Sequence, residues 1–345
     1  MIGKKWTLGY YDAGQFIDYN KSLYSILKGF MKLGWMEEGE PPLPKENNGR
    51  EIWNWASVNS KSQYLLFPID AYYTSNWNSK ERKINVSSLI KRIKDKKDID
   101  ALLVSGTQAG KDFSTNEINI PTFVFSVSDP IPSGLIKDKD DRPFKHVHIT
   151  VNPNRYYNQV LTFFEFTNFK KLGVIFENSN NGKSYSGIQV IKDIAAEKGF
   201  RVIECNSLDE DFTDKQSERD ESVVKCINNL TGKIDALYLT QQGGVNSNTI
   251  PIIVKWALQN KIKTFSQAGS DEVKQGILMG SAGSSFKYVG EFESKNIIEV
   301  LKGEPIDHIS QVFIDPILIS LNTNTAKVIG FIPSFNLMSV VEEIF

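Results

Sequence analysis

PTFVFSVSDPIP, residues 121–132, decides how the chain is read. Thr122, Phe123, Val124, Phe125 and Val127 are aromatic or β-branched, as in a buried strand, and the run is too short for a helix. It runs out in Ser126, Ser128 and Asp129, so hydroxyls and a carboxylate arrive at the carboxyl end of the strand, where open α/β sheets bind ligands. Pro130 and Pro132 then deny the next residues both helix and ladder hydrogen bonds. The stretch predicts half of a cleft, followed by a stiff connector toward a second lobe.

The same pattern recurs toward the N-terminus. WTLGYY (6–11) predicts a first strand and DAGQF the turn behind it. Leu23, Ile26, Leu27, Phe30, Met31 and Leu33 then fall at helical spacing until Gly34 stops the helix. Residues 37–62 are polar and rich in Pro and Gly. They read as a surface excursion whose Trp53 and Trp55 pack back onto the lobe, with a ligand-clamping tryptophan pair as the sharper alternative. Residues 63–73 predict a second strand, and residues 86–97 an amphipathic helix with Leu89, Ile90 and Ile93 inward and lysines outward. DALLV (100–104) predicts the third strand. Helix-length sequence between strands implies parallel pairing through crossovers.

Beyond the connector the pattern restarts. A helix over 155–169 leads to the strand KKLGVIFEN, a helix over 184–198 and a strand over 201–205, then a long acidic helix toward Ile227. The strand IDALYLT, a helix over 249–260 and the strand KTFSQ follow. ILMG (277–280) is another short strand, 286–301 a helix, and QVFIDPILISL (311–321) a last strand broken by Pro316. NTNTAKVIGF closes the pattern as a short helix capped by Asn or Thr. The chain is therefore α/β, with two lobes of alternating strands and helices, of similar size.

Composition agrees. A single core usually stops growing near about 250–300 residues, and this chain has 345, so two lobes are the default. A net charge of −1 without a basic stripe argues against nucleic acid and an anionic membrane surface as partners. No apolar run reaches the length of a membrane span, and the N-terminus enters a strand pattern without an apolar signal core, so a cytoplasmic protein or a removed leader is expected. Cys205 and Cys226 lack CxxC spacing and a nearby His. They read as buried or idle thiols, a disulfide requiring an oxidising compartment.

The motifs of common chemistries fail residue by residue. ENSNNGKS (177–184) sits between strand and helix like a phosphate-binding loop, but Glu177 stands where the first glycine is needed. GTQAGKD (106–112) is one residue short, and IDALYLT ends without a magnesium-holding Asp. His146 and His148 share one face of an extended segment without a third His nearby, so no metal is expected. GSAGSS (280–285) is not a nucleophile elbow, and GYYDAGQF has the wrong spacing for a dinucleotide. Neither cofactor nor catalytic residues are expected.

What remains is a pattern of strand ends: Tyr11-Asp12, Ser105-Thr107-Gln108, Ser128-Asp129, Glu177-Asn178, Thr240-Gln241-Gln242-Gly243 and Ser266-Gln267. Every strand must end in something polar. Converging on one cleft, however, these amides, hydroxyls and few carboxylates would hold a small polar ligand reversibly rather than transform it.

Several segments carry a resemblance: IPTFVFSVSDPIPSGLI (120–136), KKLGVIFENSNNGKS (170–184), IDALYLTQQ (234–242), TFSQAGSDEVKQGILMG (264–280) and YVGEFESKNIIEVLKGEPI (288–306). With DPxxxGL and SDEVKQG as its more specific parts, the chain resembles the extracytoplasmic substrate-binding proteins of ABC transporters, in the branch associated with tryptophan and other aromatic amino acids. The resemblance implies the type I periplasmic-binding-protein fold, two doubly wound, Rossmann-like lobes that are joined by a hinge of three crossovers and close like a hinged clam. It implies one lobe of residues 1–150 plus 275–305 and another of 151–274 plus 306–345.

Carried over by position, the resemblance places Asp12, Gln15, Ser105, Thr107, Ser128 and Asp129 of the first lobe at the ligand. From the second lobe it adds Asn178, Ser184, Tyr185, Gln241, Gln242 and Gln267. An amino-acid carboxylate would sit at the N-terminus of a helix begun by Ser184 or on the Thr107 backbone. Asp129 or Glu177 would face the ammonium, and Tyr11, Phe16 and Tyr185 would stack on an aromatic side chain. The implied role is capture of a small solute, such as an aromatic amino acid, by a periplasmic or otherwise extracytoplasmic monomer that delivers it to a membrane permease. A ligand-sensing input domain of a receptor is the alternative, and an enzyme is disfavoured for want of an activated nucleophile.

Overall fold

The computed structural model describes residues 5–209, 213, 215–282 and 285–345. The chain divides into two compact units, the first made of Met1–Pro153 and Phe286–Asp315, the second of Asn154–Ser285 and Pro316–Phe345. It therefore passes from one unit to the other three times. The resemblance had implied divisions near residues 150, 275 and 305.

The first unit is built on a parallel sheet. Its strands are β1 (Trp6–Asp12), β2 (Leu65–Leu66), β3 (Tyr72–Thr74), β4 (Ala101–Ser105), β5 (Thr122–Phe125) and β6 (Val147–Ile149), in the order β2-β1-β4-β5-β6 with β3 also paired to β1. Its helices are α1 (Ile17–Lys32), α2 (Gly49–Asn59), α3 (Ser79–Asp95), α4 (Thr107–Phe113) and, from the second passage of the chain, α11 (Ser285–Leu301). Leu102, Leu103, Phe123 and Val124 are buried on both faces of this sheet, which is why the strands read as continuous apolar runs.

The excursion predicted over 37–62 contains a helix, α2. Trp53 on it is fully buried, donates Nε1–H to the Pro68 carbonyl (2.8 Å) and packs against Tyr10, Phe67 and Tyr72, so it belongs to the core and not to a ligand clamp. The predicted second strand is interrupted by a 3-10 turn at Ile69–Ala71.

The second unit holds β7 (Lys171–Glu177), β8 (Arg201–Ser207), β9 (Ala236–Leu239), β10 (Lys263–Ser266), β11 (Met279–Ser281), β12 (Ile319–Leu321) and β13 (Val341–Ile344). Their order is β13-β12-β11-β10-β9-β7-β8, parallel except where β12 returns antiparallel to β11. The helices are α5 (Arg155–Thr167), α6 (Asn180–Ser186), α7 (Ile188–Lys198), α8 (Gln216–Leu230), α9 (Ile250–Asn260), α10 (Ser270–Lys274), α12 (Thr323–Ile329) and α13 (Phe335–Met338). Strand alternation splits the interior in two. Leu172, Val174 and Phe176 of β7 enter one core with α5, α7 and α12, whereas Ile175 enters another with α8 and α9. The predicted α/β, doubly wound class is the one observed in each unit.

Four local readings change. The helix expected to begin at Ser184 is two helices, because Gly187 takes a left-handed φ of 66° between α6 and α7. The strand expected over 311–321 survives only as β12 and an isolated bridge from Val312 to Val151. β13 was not anticipated. Cys205 on β8 and Cys226 on α8, read as idle thiols, are joined in a disulfide. Part of the GSAGSS run, residues 283–284, lies outside the described residues.

Candidate binding site

In an open α/β sheet, the crevice for a ligand opens outside the carboxyl ends of the two strands between which the winding reverses. The strand order places this point between β1 and β4 in the first unit and between β7 and β9 in the second.

At the first point, β1 ends in Asp12. Its carboxylate is fully buried, accepting from Thr74 Oγ1 (2.5 Å) and the Tyr72 hydroxyl (3.2 Å). Burial pushes this carboxyl up to about 6, with the Thr74 and Tyr72 hydrogen bonds pulling it back down. Asp12 is thus engaged by its own unit and braces β1 against β3. Tyr11, expected to stack on ligand, has its ring buried edge-on against Phe113 at 4.8 Å. Gln15 is half-buried, and its Oε1 accepts from Gly49 N–H (3.2 Å). Phe16 is 40% exposed and lies edge-on to Tyr19 at 5.5 Å.

β4 ends in the buried Ser105. Gly106 follows with φ 91°, and Thr107 is the first residue of α4. Ser128 and Asp129, past β5, are half-buried, and Asp129 Oδ1 accepts from Ile131 N–H (3.2 Å) across the Pro130 turn.

Two aromatic residues at this end of the sheet escaped the sequence reading. Trp77 lies in the loop between β3 and α3. Its amide donates to the Ala13 carbonyl (2.9 Å) and its indole N–H to the Gln15 carbonyl (3.2 Å), so it is tied to the turn after β1. Tyr19 on α1 lies 6.3 Å from the Trp77 ring, centroid to centroid. The only sequence signal for Trp77 is a large apolar ring in the polar run TSNWNSK.

At the second point, Glu177 ends β7 buried, with Oε1 accepting from Gly243 N–H (3.0 Å) beyond β9. Asn178 is exposed. After β9, Gln242 donates to the Ile175 carbonyl (2.8 Å) and accepts from Ser207. Gln241 N–H donates to Gln267 Oε1 (2.6 Å), and Gln267 Nε2 donates in turn to the Tyr185 carbonyl (2.9 Å). The structure therefore brings Gln241, Gln267 and Tyr185 into one network. Ser184 lies within the seven-residue α6 rather than at a helix start, so the N-terminal site expected there does not exist.

Arg155, also missed, opens α5. Its guanidinium donates to Gln241 Oε1 (3.4 Å) and lies over the Tyr156 ring at 5.6 Å. Sequence offered only its position two residues after Pro153, at the start of an amphipathic helix. Of the histidines proposed and rejected as metal ligands, His148 is fully buried on β6 against the Ser310 carbonyl (2.9 Å), where burial pushes it down to about 4.

The arrangement supplies amides, hydroxyls, a guanidinium and ring faces at the carboxyl ends of both sheets. Such groups hold a solute without exchanging protons with it.

Comparison with known proteins places this geometry. A family model for ABC transporter substrate binding proteins matches residues 58–338, and the chain belongs to that family, whose members bind solutes rather than catalyse reactions. It is similar in structure to an ABC domain from Streptococcus pneumonia solved in complex with L-Trp, with 17% identity, 99% of this chain and 100% of that chain covered, and a TM-score of 0.68. It is similar also to the ligand-free, open structure of a substrate binding protein with adhesive properties from Clostridium difficile, with 20% identity, 99% and 100% covered, and a TM-score of 0.68. A type 1 periplasmic binding protein from Bordetella pertussis matches at 12% identity over 89% of this chain and 88% of that one, with a TM-score of 0.54. These likenesses assign the type I periplasmic-binding fold. No curated protein sequence matches the chain. Among the described residues no helix is long and apolar enough to cross a membrane.

Proposed function

We propose that the chain captures a small zwitterionic solute, an amino acid with an aromatic side chain, through polar groups at strand carboxyl ends. It then presents the solute, unaltered, to the membrane permease of an ABC importer. The observation that carries this reading is the network at the end of β9: Gln241 is held by Gln267 and accepts from the guanidinium of Arg155, a planar donor suited to a carboxylate. In the first unit Asp129 is the counterpart for the ammonium. The family supplies the transport role, and the S. pneumonia relative with bound L-Trp supplies a precedent for the ligand. An extracytoplasmic location fits the Cys205–Cys226 disulfide, a bond that persists in oxidising compartments.

A thermal-shift screen of amino acids, nucleosides and sugars tests the proposal. A ligand at 100 times its dissociation constant stabilises the folded chain by about 2.7 kcal/mol, enough for a clear upward shift. Stabilisation by amino acids and recovery of the ligand unchanged is the expected result. Response to sugars or nucleosides alone overturns the ligand class, and turnover of the ligand overturns binding as the function. Asp129→Asn should weaken amino-acid binding, and unchanged affinity removes Asp129 as the ammonium partner.

A further inference from the structure

The turn after β1 is shaped around an indole. A side chain at Gly14 would collide with the six-membered and five-membered rings of Trp77, and one at Gly106 would collide with the hydroxyl end of Tyr19. Both glycines stand directly beyond the strands that flank the first unit's switch point, so the space that side chains would fill there is given to two aromatic residues.

Trp77 is nevertheless 52% exposed, unusual for so large a ring held by two hydrogen bonds. Its backbone and that of Asn76 are both left-handed, with φ of 62° and 47°, a conformation that costs non-glycine residues free energy and gathers at ligand-binding segments. A tryptophan serving only to cover Gly14 would gain more by burial. Tyr19 backs it at 6.3 Å, and the 40% exposed Phe16 lies edge-on to Tyr19.

We infer that Trp77, backed by Tyr19 and flanked by Phe16, is the specificity-determining platform on which a planar ring of the ligand is laid. The inference rests on the solute-capture reading above and narrows it. A preordered indole loses little conformational freedom on binding, and it rewards a flat aromatic side chain over a branched aliphatic one of similar size.

The test is calorimetric titration of the full chain with L-phenylalanine, L-tyrosine, L-tryptophan and L-leucine, alongside Trp77→Ala and Trp77→Phe, with thermal melts confirming that both variants fold. Trp77→Ala is expected to lose about tenfold or more in affinity for the aromatic amino acids, and Trp77→Phe to stay within about threefold of the parent. L-phenylalanine, which does not interfere with indole emission, should change the fluorescence of the parent, and that change should be clearly smaller in Trp77→Phe, which keeps the other five of the six tryptophans, while binding persists. Undiminished aromatic binding by Trp77→Ala, or a fluorescence change that is undiminished in Trp77→Phe, overturns the platform and leaves solute capture standing. Binding of L-leucine without any aromatic amino acid does the same. Binding of none of the four overturns the platform together with the amino-acid reading.

Discussion

Thr150 donates its hydroxyl to Glu293, a carboxyl group with no exposed surface whose second oxygen has no hydrogen-bond partner among the described residues. Glu293 lies on α11, and Thr150 just before the chain first leaves the first unit. Burial pushes this carboxyl up to about 8, with the Thr150 hydrogen bond offsetting part of the rise.

A pH dependence follows. Between the unfolded value of 4.5 and about 8, the folded chain keeps a proton that the unfolded chain gives up, so stability falls as pH rises through that range. Asp12, raised to about 6, adds a fall between 3.8 and 6, whereas His148, lowered to about 4, adds a rise between 4 and 6.5. Above pH 6.5 only the tails of these two titrations remain, together with that of His146, which burial also pushes down, and they partly offset each other, so Glu293 dominates. The unfolding free energy from urea titrations should therefore decline from pH 6.5 to 8, by up to about 2 kcal/mol, and Glu293→Gln should flatten that decline. An equal slope in the variant assigns the dependence elsewhere.

Asp12 is the acceptor for both Thr74 and Tyr72. Removing it leaves the buried Tyr72 hydroxyl and the half-buried Thr74 hydroxyl without this acceptor, so Asp12→Ala should destabilise by about 1–3 kcal/mol, and Asp12→Asn, which keeps an acceptor, by less. Equilibrium denaturation at pH 7.5, where Asp12 is ionised, measures both. Equal stability of Asp12→Ala and the parent would remove Asp12 as the brace between β1 and β3.

The disulfide spans a sequence separation of 21. Closing a loop of that size restricts the unfolded chain, and its reduction should cost about 3 kcal/mol. The unfolded, unreduced protein should present no thiol to Ellman's reagent, and a reducing agent should lower the denaturation midpoint. Two titratable thiols before reduction would contradict the bond.

Gly106 has φ 91° and abuts Tyr19, whereas Gly34 has φ 73° and, among the described residues, nothing within 4 Å of where a side chain would begin. Gly34→Ala should cost about 1 kcal/mol for its backbone alone, and Gly106→Ala distinctly more, because strain and collision add. Thermal melts of the two variants give the comparison, and equal costs would mean that Tyr19 yields freely.

Strands such as β4 and β5 were legible because they are buried on both faces: DALLV and TFVF carry no polar alternation, and their polar ends mark where the sheet stops. The helix break at Gly187 was less so, since glycine within a helical pattern marks a left-handed turn only once Tyr156 is seen packed where a side chain would lie. Trp53 looked like a loop residue because the apolar partners of α2, among them Phe67 and Tyr72, are brought to it by the chain's return.

By itself, then, the sequence determined the α/β class, the repetition of the pattern into two units and the polar character of the strand ends, because all three follow from local periodicity and chain length. Only the tertiary structure decided which strand ends face a switch point, that Asp12 and Tyr11 are taken up by their own unit, that Trp77 and Arg155 stand at the carboxyl ends instead, and that Cys205 meets Cys226. Those outcomes depend on contacts between residues far apart in the chain, and no local pattern encodes which of them come within reach.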